Sequence, residues 1–382
     1  MSKTTFSIEG RGLKLNSAAD VQEFVSIIEG MAELDSVVLS GNTFGVEASR
    51  AIAAALAKKP LLKLAQLSDI FTGRLLSEIP DSLKAFGDAL IDKEHLVELN
   101  LSDNAFGAAG LVPLSDFLKN NRNLQILKLN NNGLGPTGGK VLADALKEAQ
   151  KRNEAEKKKS SLRVIIVGRN RLEDGSAPLL GEAFAAHGTL THVSMPQNGI
   201  RMAGIKALAA GLTQCPNLEV LDLQDNTFKR KGCFAFAGAL PNWPGLKHLN
   251  FGECLLSNKG SILLSSALAR GKNTKLESLD FTYGEIRENG ILALASVISS
   301  HLPNLTKLEL NGNQVEEDGA AMDAIRDALS RHNHDDALGA LDEMESPDSD
   351  AESDSSSSDE EEKEQDKKND DELADLTARL NV

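Results

Sequence analysis

Cysteine is scarce in this chain: three residues in 382, at positions 215, 233 and 254. They show neither metal-ligand nor redox spacing. An odd, small number argues against a disulfide framework and fits reduced thiols in the cytosol or nucleus. No apolar run reaches membrane-spanning length and no secretory leader pattern is found, so no membrane association is expected. Sequences that mark chemistry are missing too. There is no Walker A sequence, no Gly-x-Ser-x-Gly and no His-Glu-x-x-His. The seven histidines (95, 187, 192, 248, 301, 332, 334) hold no recurring place. No two carboxylates stand at a spacing that demands general acid–base work. The expectation is a binding protein with no metal and no cofactor of its own.

What the chain has is a repeat. The pattern h-x-h-x-x-N-x-h, with h apolar, appears in Val37–Phe44, Leu99–Phe106 and Leu127–Leu134. Further copies centre on Asn170, Asn198, Asn226 and Asn313, and weaker ones place Ile70, Cys254 and Gly284 at the asparagine position. From Asn42 onward the ten positions lie 28, 34, 28, 38, 28, 28, 28, 30 and 29 residues apart. A base period of 28 with a leucine-and-asparagine signature is the long variety of leucine-rich repeat. The h-x-h piece predicts a short strand with both apolar residues inward. The asparagine amide donates and accepts at once, so it can satisfy backbone groups in a buried turn. The rest of each repeat reads as helix: after Asn132 comes Pro136, suited to a first helical position, then an apolar face of Val141, Leu142, Ala145 and Leu146. The predicted architecture is an α/β solenoid, a horseshoe with parallel strands on the concave side, helices on the convex side, and about ten or eleven repeats.

The charge is unevenly placed. Residues 345–375 hold 15 Asp or Glu and 3 Lys, a net of −12, which leaves −3 for the rest of a chain of net −15. The division predicted is a repeat domain with its caps over 1–343 and an acidic tail over 344–382. With almost no apolar residues, the tail cannot offset its ordering entropy and reads as disordered. It reads as a solubilising segment or, more sharply, as an attractor of a basic partner. Its serines that precede acidic residues are candidate phosphorylation sites. Leu373 to Leu380 can form a short amphipathic helix. Two insertions, of about six residues before Asn104 and about ten before Asn170, interrupt the period. The second, Lys147–Ser160, reads as an extended helix and a solvated loop. Its lysines 157–159 read as a solvated face, and nucleic-acid binding is not expected. Phe6–Gly10 and Leu13–Leu15 read as N-terminal capping strands, and residues 314–343 as the C-terminal cap.

Two residues precede each repeat asparagine, just past the strand. They are read as free of packing and therefore available for function. The second of each pair forms a polar row: Asp69, Asp103, Asn131, Arg169, Gln197, Asp225 and Glu253. Solubility explains polarity at any one of these sites. It explains less well three adjacent asparagines at 130–132, where the repeat needs only Asn132.

At these residues the chain resembles the Ran GTPase-activating protein family. The matching stretches include Phe6–Gly10, Val38–Thr43, Ser68-Asp-Ile-Phe-Thr-Gly-Arg74, Leu101–Gly107, Asn131–Pro136, Gly168–Leu172, Gln197–Arg201 and Leu221–Thr227. Ser68–Arg74 is the most specific, since it lies in a repeat that breaks the consensus. The resemblance spans the solenoid and extends to the acidic tail. It implies a short form, without the animal form's C-terminal domain or the plant form's N-terminal targeting domain. It further implies activation of GTP hydrolysis by Ran, with GTP and magnesium held in Ran's own site. General GTPase logic nominates an arginine finger in trans, for which Arg74 is the obvious candidate. The resemblance implies instead that no arginine is inserted and that Asn131 orients Ran's catalytic glutamine. Arg74 then contributes to binding or to ordering Ran's switch region, while Asp69, Asp103, Arg169, Gln197, Asp225 and Glu253 steer or hold the partner. Where the family often has a lysine two residues after the arginine, this chain has Leu76. A monomer in the cytoplasm, acting on Ran in its GTP form with or without a Ran-binding protein, is expected. The competing reading is a non-catalytic repeat scaffold, or a stoichiometric inhibitor of the ribonuclease-inhibitor type. That type is rich in cysteine, unlike this chain.

Overall fold

The computed structural model describes residues 4–345, in two compact units that meet in sequence at Leu218 and Glu219. The readings made for residues 346–382, including a helix at Leu373–Leu380, fall outside the described residues.

In the first unit the strands are β1 (Thr5–Ser7), β2 (Lys14–Leu15), β3 (Ser36–Val38), β4 (Thr43–Phe44), β5 (Leu64–Gln66), β6 (Glu98–Asn100), β7 (Ile126–Lys128), β8 (Val164–Ile166) and β9 (His192–Ser194). Seven of them form a parallel ladder in the order β1-β3-β5-β6-β7-β8-β9, while β2 pairs with β4 beside it. Seven helices alternate with them: α1 (Gln22–Gly30), α2 (Val46–Ala57), α3 (Ile79–Leu90), α4 (Gly107–Asn120), α5 (Gly135–Ala155), α6 (Glu173–His187) and α7 (Met202–Leu212). The second unit continues the same alternation with parallel strands β10 (Val220–Asp222), β11 (His248–Asn250), β12 (Ser278–Asp280) and β13 (Lys307–Glu309). Its helices are α8 (Lys229–Ala239), α9 (Ser257–Leu268), α10 (Glu288–His301) and α11 (Ala320–Ser330). The α/β leucine-rich-repeat solenoid is therefore the fold, with eleven parallel ladder strands among the described residues.

Each ladder strand is only three residues because its inward side chain is a single one. Val37, Ala65, Leu99, Leu127, Ile165 and Val193 stack in register down the first unit, all buried. The next residue, for example Leu101 or Leu129, continues the buried column. A full leucine burial is worth about 2 kcal/mol, so the column adds cohesion between repeats alongside the packed helices.

The asparagines do what their chemistry predicts. Asn132 Nδ2 donates to the carbonyls of Leu101 and Leu129 (3.0 Å each), and its Oδ1 accepts from the Asn104 N–H (3.0 Å). Asn104, Asn170 and Asn198 repeat the arrangement. At the cysteine variant, Cys254 Sγ donates to the Leu223 carbonyl at 3.2 Å, in place of the amide.

The helix starts solve a second problem. α4, α5, α6 and α9 have no side-chain N-cap. Instead their first N–H groups donate to the turn of the next repeat: Gly107 to Asn132 O, Gly135 to Asn170 O, Glu173 to Asn198 O and Ser257 to Gly284 O, at 2.8–3.0 Å. Orphan donors at a helix N-terminus are thus satisfied between repeats. Within α5, Leu142, Ala143, Ala145 and Leu146 are buried, whereas Val141 of the expected face is only half-buried.

The longer insertion takes its expected form. α5 runs 21 residues, and Lys157–Lys159 follow it exposed. The shorter insertion becomes a loop over residues 71–78 before α3. The N-terminal stretches cap the stack as strands, Phe6 opposite Val37 and Leu15 opposite Phe44. At the other end the chain after α11 returns to β13, where Leu308 N donates to Ala337 O (2.7 Å) and Gly339 N to Leu308 O (2.9 Å). Glu345 N still donates to Asn313 O (2.9 Å), so the backbone stays tied to the last repeat two residues past the 343 boundary read from composition.

Candidate functional site

The polar row is a backbone feature before it is a side-chain feature. Each residue just before the asparagine position adopts a left-handed conformation: Asp69, Asp103, Asn131, Arg169, Gln197, Asp225 and Glu253 have φ between 48° and 61°. L-residues adopt this conformation at a cost of about 1 kcal/mol, least for Asn and Asp. What the kink gains is another ladder bond past the strand. Asp69 N donates to Ser102 O, Asp103 N to Asn130 O, Asn131 N to Gly168 O and Arg169 N to Pro196 O, at 2.8–3.1 Å. The kink turns the side chains outward. Asp103, Asn131, Arg169, Gln197 and Glu253 are exposed, and Asp69 and Asp225 are half-buried.

The first member of each pair is not free, contrary to the reading from sequence. Ser68 Oγ donates to Ser40 Oγ (2.9 Å), Asn130 N to Ser102 Oγ (3.2 Å) and Gly168 N to Asn130 Oδ1 (2.6 Å). At Gly168 a Cβ would lie 2.7 Å from the Pro196 ring. These inner residues interlock between turns, which explains why they are small or amide-bearing.

The three asparagines therefore divide their work. Asn132 is the buried ladder amide and Asn130 the inner interlock. Asn131 is exposed, with Nδ2 donating to Asp103 Oδ1 at 3.0 Å. A carboxylate only accepts, so Asp103 fixes which end of the amide faces it. One N–H and the whole of Oδ1 then remain on the outer side of Asn131. Beneath this pair the strand faces carry a polar chain that sequence reasoning missed. Asn100 Nδ2 donates to Gln66 Oε1 (3.0 Å), Gln66 Nε2 to Glu98 Oε1 (2.9 Å), and Lys128 Nζ pairs with Glu98 at 2.6 Å. The only signal for it was that Gln66, Asn100 and Lys128 are the x positions of h-x-h and Glu98 comes just before one such unit.

Arg74 lies in the 71–78 loop with its guanidinium turned to the N-terminal cap. Nε donates to Thr43 Oγ1 (2.8 Å), Nη1 to Asn16 Oδ1 (2.6 Å), and Nη2 to both Leu15 O (3.1 Å) and Thr43 O (2.9 Å). Four of its five donors are thus used within the chain. Leu75 and Leu76 follow it at 69% and 67% exposure. Asp69 accepts from Thr72 Oγ1 at the start of the same loop. Arg169 and Gln197 continue the row in the first unit. Asp225 and Glu253 belong to the second, where Gln224 Nε2 holds Glu253 Oε1 at 2.7 Å.

A buried serine–histidine contact also escaped the sequence reading. Ser160 Oγ and His187 Nδ1 are 2.6 Å apart, and His187 Nε2 is 3.0 Å from Leu146 O. The carbonyl can only accept, so Nε2 carries the proton and Nδ1 accepts from the hydroxyl. Burial lowers the imidazole pKa to about 4. With both side chains buried, the pair fastens the end of the insertion to α6 and offers no room for a substrate. Among the described residues no group of three His, Cys, Asp or Glu side chains is placed to hold a metal, and no helix is long and apolar enough to cross a membrane.

The repeat is matched by a leucine-rich-repeat family model at residues 93–115, 120–143, 214–237, 272–295 and 301–322. The chain is 43% identical over 338 residues to Ran GTPase-activating protein 1 of Xenopus laevis, covering 88% of this chain and 58% of the frog protein. It is 36% identical over 330 residues to Ran GTPase-activating protein 1 of Saccharomyces cerevisiae, covering 84% of this chain and 81% of the yeast protein. It is 40% identical over 317 residues to the Drosophila melanogaster Ran GTPase-activating protein, covering 82% and 53%. The chain thus spans little more than half the length of its frog and fly relatives and most of the yeast one.

Proposed function

Because the chain belongs to the Ran GTPase-activating protein family, we propose that it stimulates GTP hydrolysis by Ran and does so through Asn131 rather than an inserted arginine. Nucleotide and magnesium belong to Ran's site, and this chain contributes positioning. The observation that carries the reading is the Asn131 amide, exposed on its kink and held by Asp103. Its free N–H and Oδ1 match the two ends of a partner glutamine amide. Pairing with that glutamine fixes its rotamer and the water it orients, which lowers the entropy cost of reaching the transition state. Activators of this class accelerate hydrolysis by about 10⁵, or roughly 7 kcal/mol. A single amide accounts for part of that, and the rest comes from excluding water and ordering Ran's switch region.

The commitment of Arg74 to Asn16, Leu15 and Thr43 supports the finger-free reading. An arginine finger would have to give up these bonds. In this reading Arg74 shapes the 71–78 loop that meets Ran, and Asp69, Asp103, Arg169, Gln197, Asp225 and Glu253 hold or steer the partner. Action on the GTP-bound form as a monomer in the cytoplasm completes the proposal.

The test is multiple-turnover hydrolysis with Ran·GTP in large excess over catalytic amounts of the full chain, and Asn131→Ala in parallel. Wild type is expected to turn over many equivalents. Asn131→Ala is expected to slow hydrolysis about 100-fold or more at saturation with Ran binding changed little. Binding without turnover by the wild type would leave a stoichiometric scaffold. Normal turnover by a saturated Asn131→Ala would overturn the mechanism and retain the activity.

A further inference from the structure

The row has one more member that its polarity does not reveal. Tyr283 is the only tyrosine of the chain and stands at the same left-handed position, with φ 48° and 42% exposure. A bulky side chain is a genuine outlier there, and glycine, which ends the row at Gly41 and Gly312, would avoid the strain. The backbone bond the kink must make, Tyr283 N to Asn311 O at 2.9 Å, needs no ring. Nor does the core, since the ring lies outside it.

The ring nevertheless has a built seat. It rests on the backbone of Gly312 in the next repeat. A Cβ added at Gly312 would lie 2.2 Å from Tyr283 Cδ1, so any side chain there would displace the ring. Gly312 thereby covers one side of the ring, while the residue as a whole stays exposed. Glu253 occupies the preceding place in the row, fixed by Gln224. On the following turn Asn311 Oδ1 accepts from Glu343 N (2.9 Å), and Glu343 is exposed.

We propose that Tyr283, seated on Gly312 with Glu253 and Glu343 on the neighbouring turns, is an anchor for a cationic side chain, arginine or lysine, on the surface of the GTPase. An aromatic face attracts a cation through its quadrupole, and the carboxylates on the neighbouring turns supply the charge. Tyrosine is also among the residue types that dominate interface energies. The proposal rests on the Ran-activating reading and adds a contact to it, in a different unit from Asn131. Its role is affinity for the partner and not the chemical step.

Two measurements on the full chain test it. In the multiple-turnover assay, Tyr283→Ala is expected to raise the half-saturating Ran·GTP concentration about ten-fold, with the rate at saturation near wild type. Tyr283→Phe, which keeps the ring, should restore most of the affinity. Independently of any variant, tetranitromethane should nitrate this single tyrosine in the free wild-type chain. Excess Ran loaded with a non-hydrolysable GTP analogue should protect it, as read by mass spectrometry of the peptide bearing residue 283. An unchanged half-saturation in Tyr283→Ala, or nitration equally fast in the complex, overturns the anchor while leaving the activator reading in place. No stimulation of Ran by the wild-type chain overturns the activator reading, and this one with it.

Discussion

Asn130, Asn131 and Asn132 are chemically identical and mechanically distinct, and the difference is measurable. Asn132 carries three buried hydrogen bonds to backbone groups that have no access to water. Replacing it with alanine leaves those groups unsatisfied and should cost about 3 kcal/mol, seen as a lower urea midpoint. Asn131→Ala loses one exposed hydrogen bond and asparagine's tolerance of the left-handed backbone, and should cost only about 1 kcal/mol. Equal destabilisation by both would contradict the division of labour. Asp103 is the residue that turns Asn131's presence into an orientation. Asp103→Ala frees the amide to rotate, and the loss of about 1 kcal/mol of fixing corresponds to roughly a five-fold slower stimulated rate. A rate in Asp103→Ala equal to wild type would show that the hydrogen bond is incidental. The triple asparagine was visible in the sequence, and so was the place of its middle member in the polar row. The interlock of Asn130 was not, because its partner Gly168 comes from the far side of the longer insertion.

At the scale of elements, two connections govern the insertions. The 71–78 loop is held to the strands β2 and β4 by Arg74, its one cation. Arg74→Ala should therefore speed hydrogen exchange in residues 13–17 and 43–45 in the free protein. A strong loss of activity with unchanged exchange there would argue for a direct role at the partner instead. The second connection is Ser160–His187–Leu146, which fastens α5's insertion to α6. His187 has a folded pKa of about 4 against 6.5 when unperturbed. The neutral imidazole is the stable folded form, so its contribution is complete above pH 6.5 and is lost as pH falls toward 4. By pH 5 the loss should be about 2 kcal/mol. Urea midpoints at pH 7.5 and 5.0 would show it, and His187→Gln should flatten that dependence. An equal slope in the variant would place the pH sensitivity elsewhere. Sequence periodicity located both insertions by their length. It was silent on their fastening, because an arginine and a histidine outside the repeat pattern have no assigned neighbours until the turns are stacked.

At the scale of the whole molecule, charge and fold are separate properties. Residues 346–382 carry 14 of the acidic side chains and 4 of the basic ones, so most of the net −15 lies beyond the last described residue. The ladder, by contrast, is closed at both ends by the chain itself, through β1 and through the return of Leu338 to Leu308. A stack with covered ends does not need the tail for cohesion. Deleting residues 346–382 should leave the thermal midpoint within about 2 °C, since an effect under about 0.5 kcal/mol is expected where no core is touched. A drop of ten degrees would mean that the acidic segment packs against the repeats.

The sequence by itself determined the repeat, its parallel α/β architecture, the row of exposed positions and the family to which the chain is similar. These depend on a local pattern of apolar spacing and asparagine that recurs every 28 residues or so, and local patterns survive in one dimension. Only the tertiary structure decided which exposed residues hold one another: Asp103 on Asn131, Arg74 on the N-terminal cap, Tyr283 on Gly312. Each joins residues 28 to 59 positions apart. Side chains that far apart meet only when successive turns stack in register, and the repeat pattern specifies the stacking without specifying which variable side chains then touch.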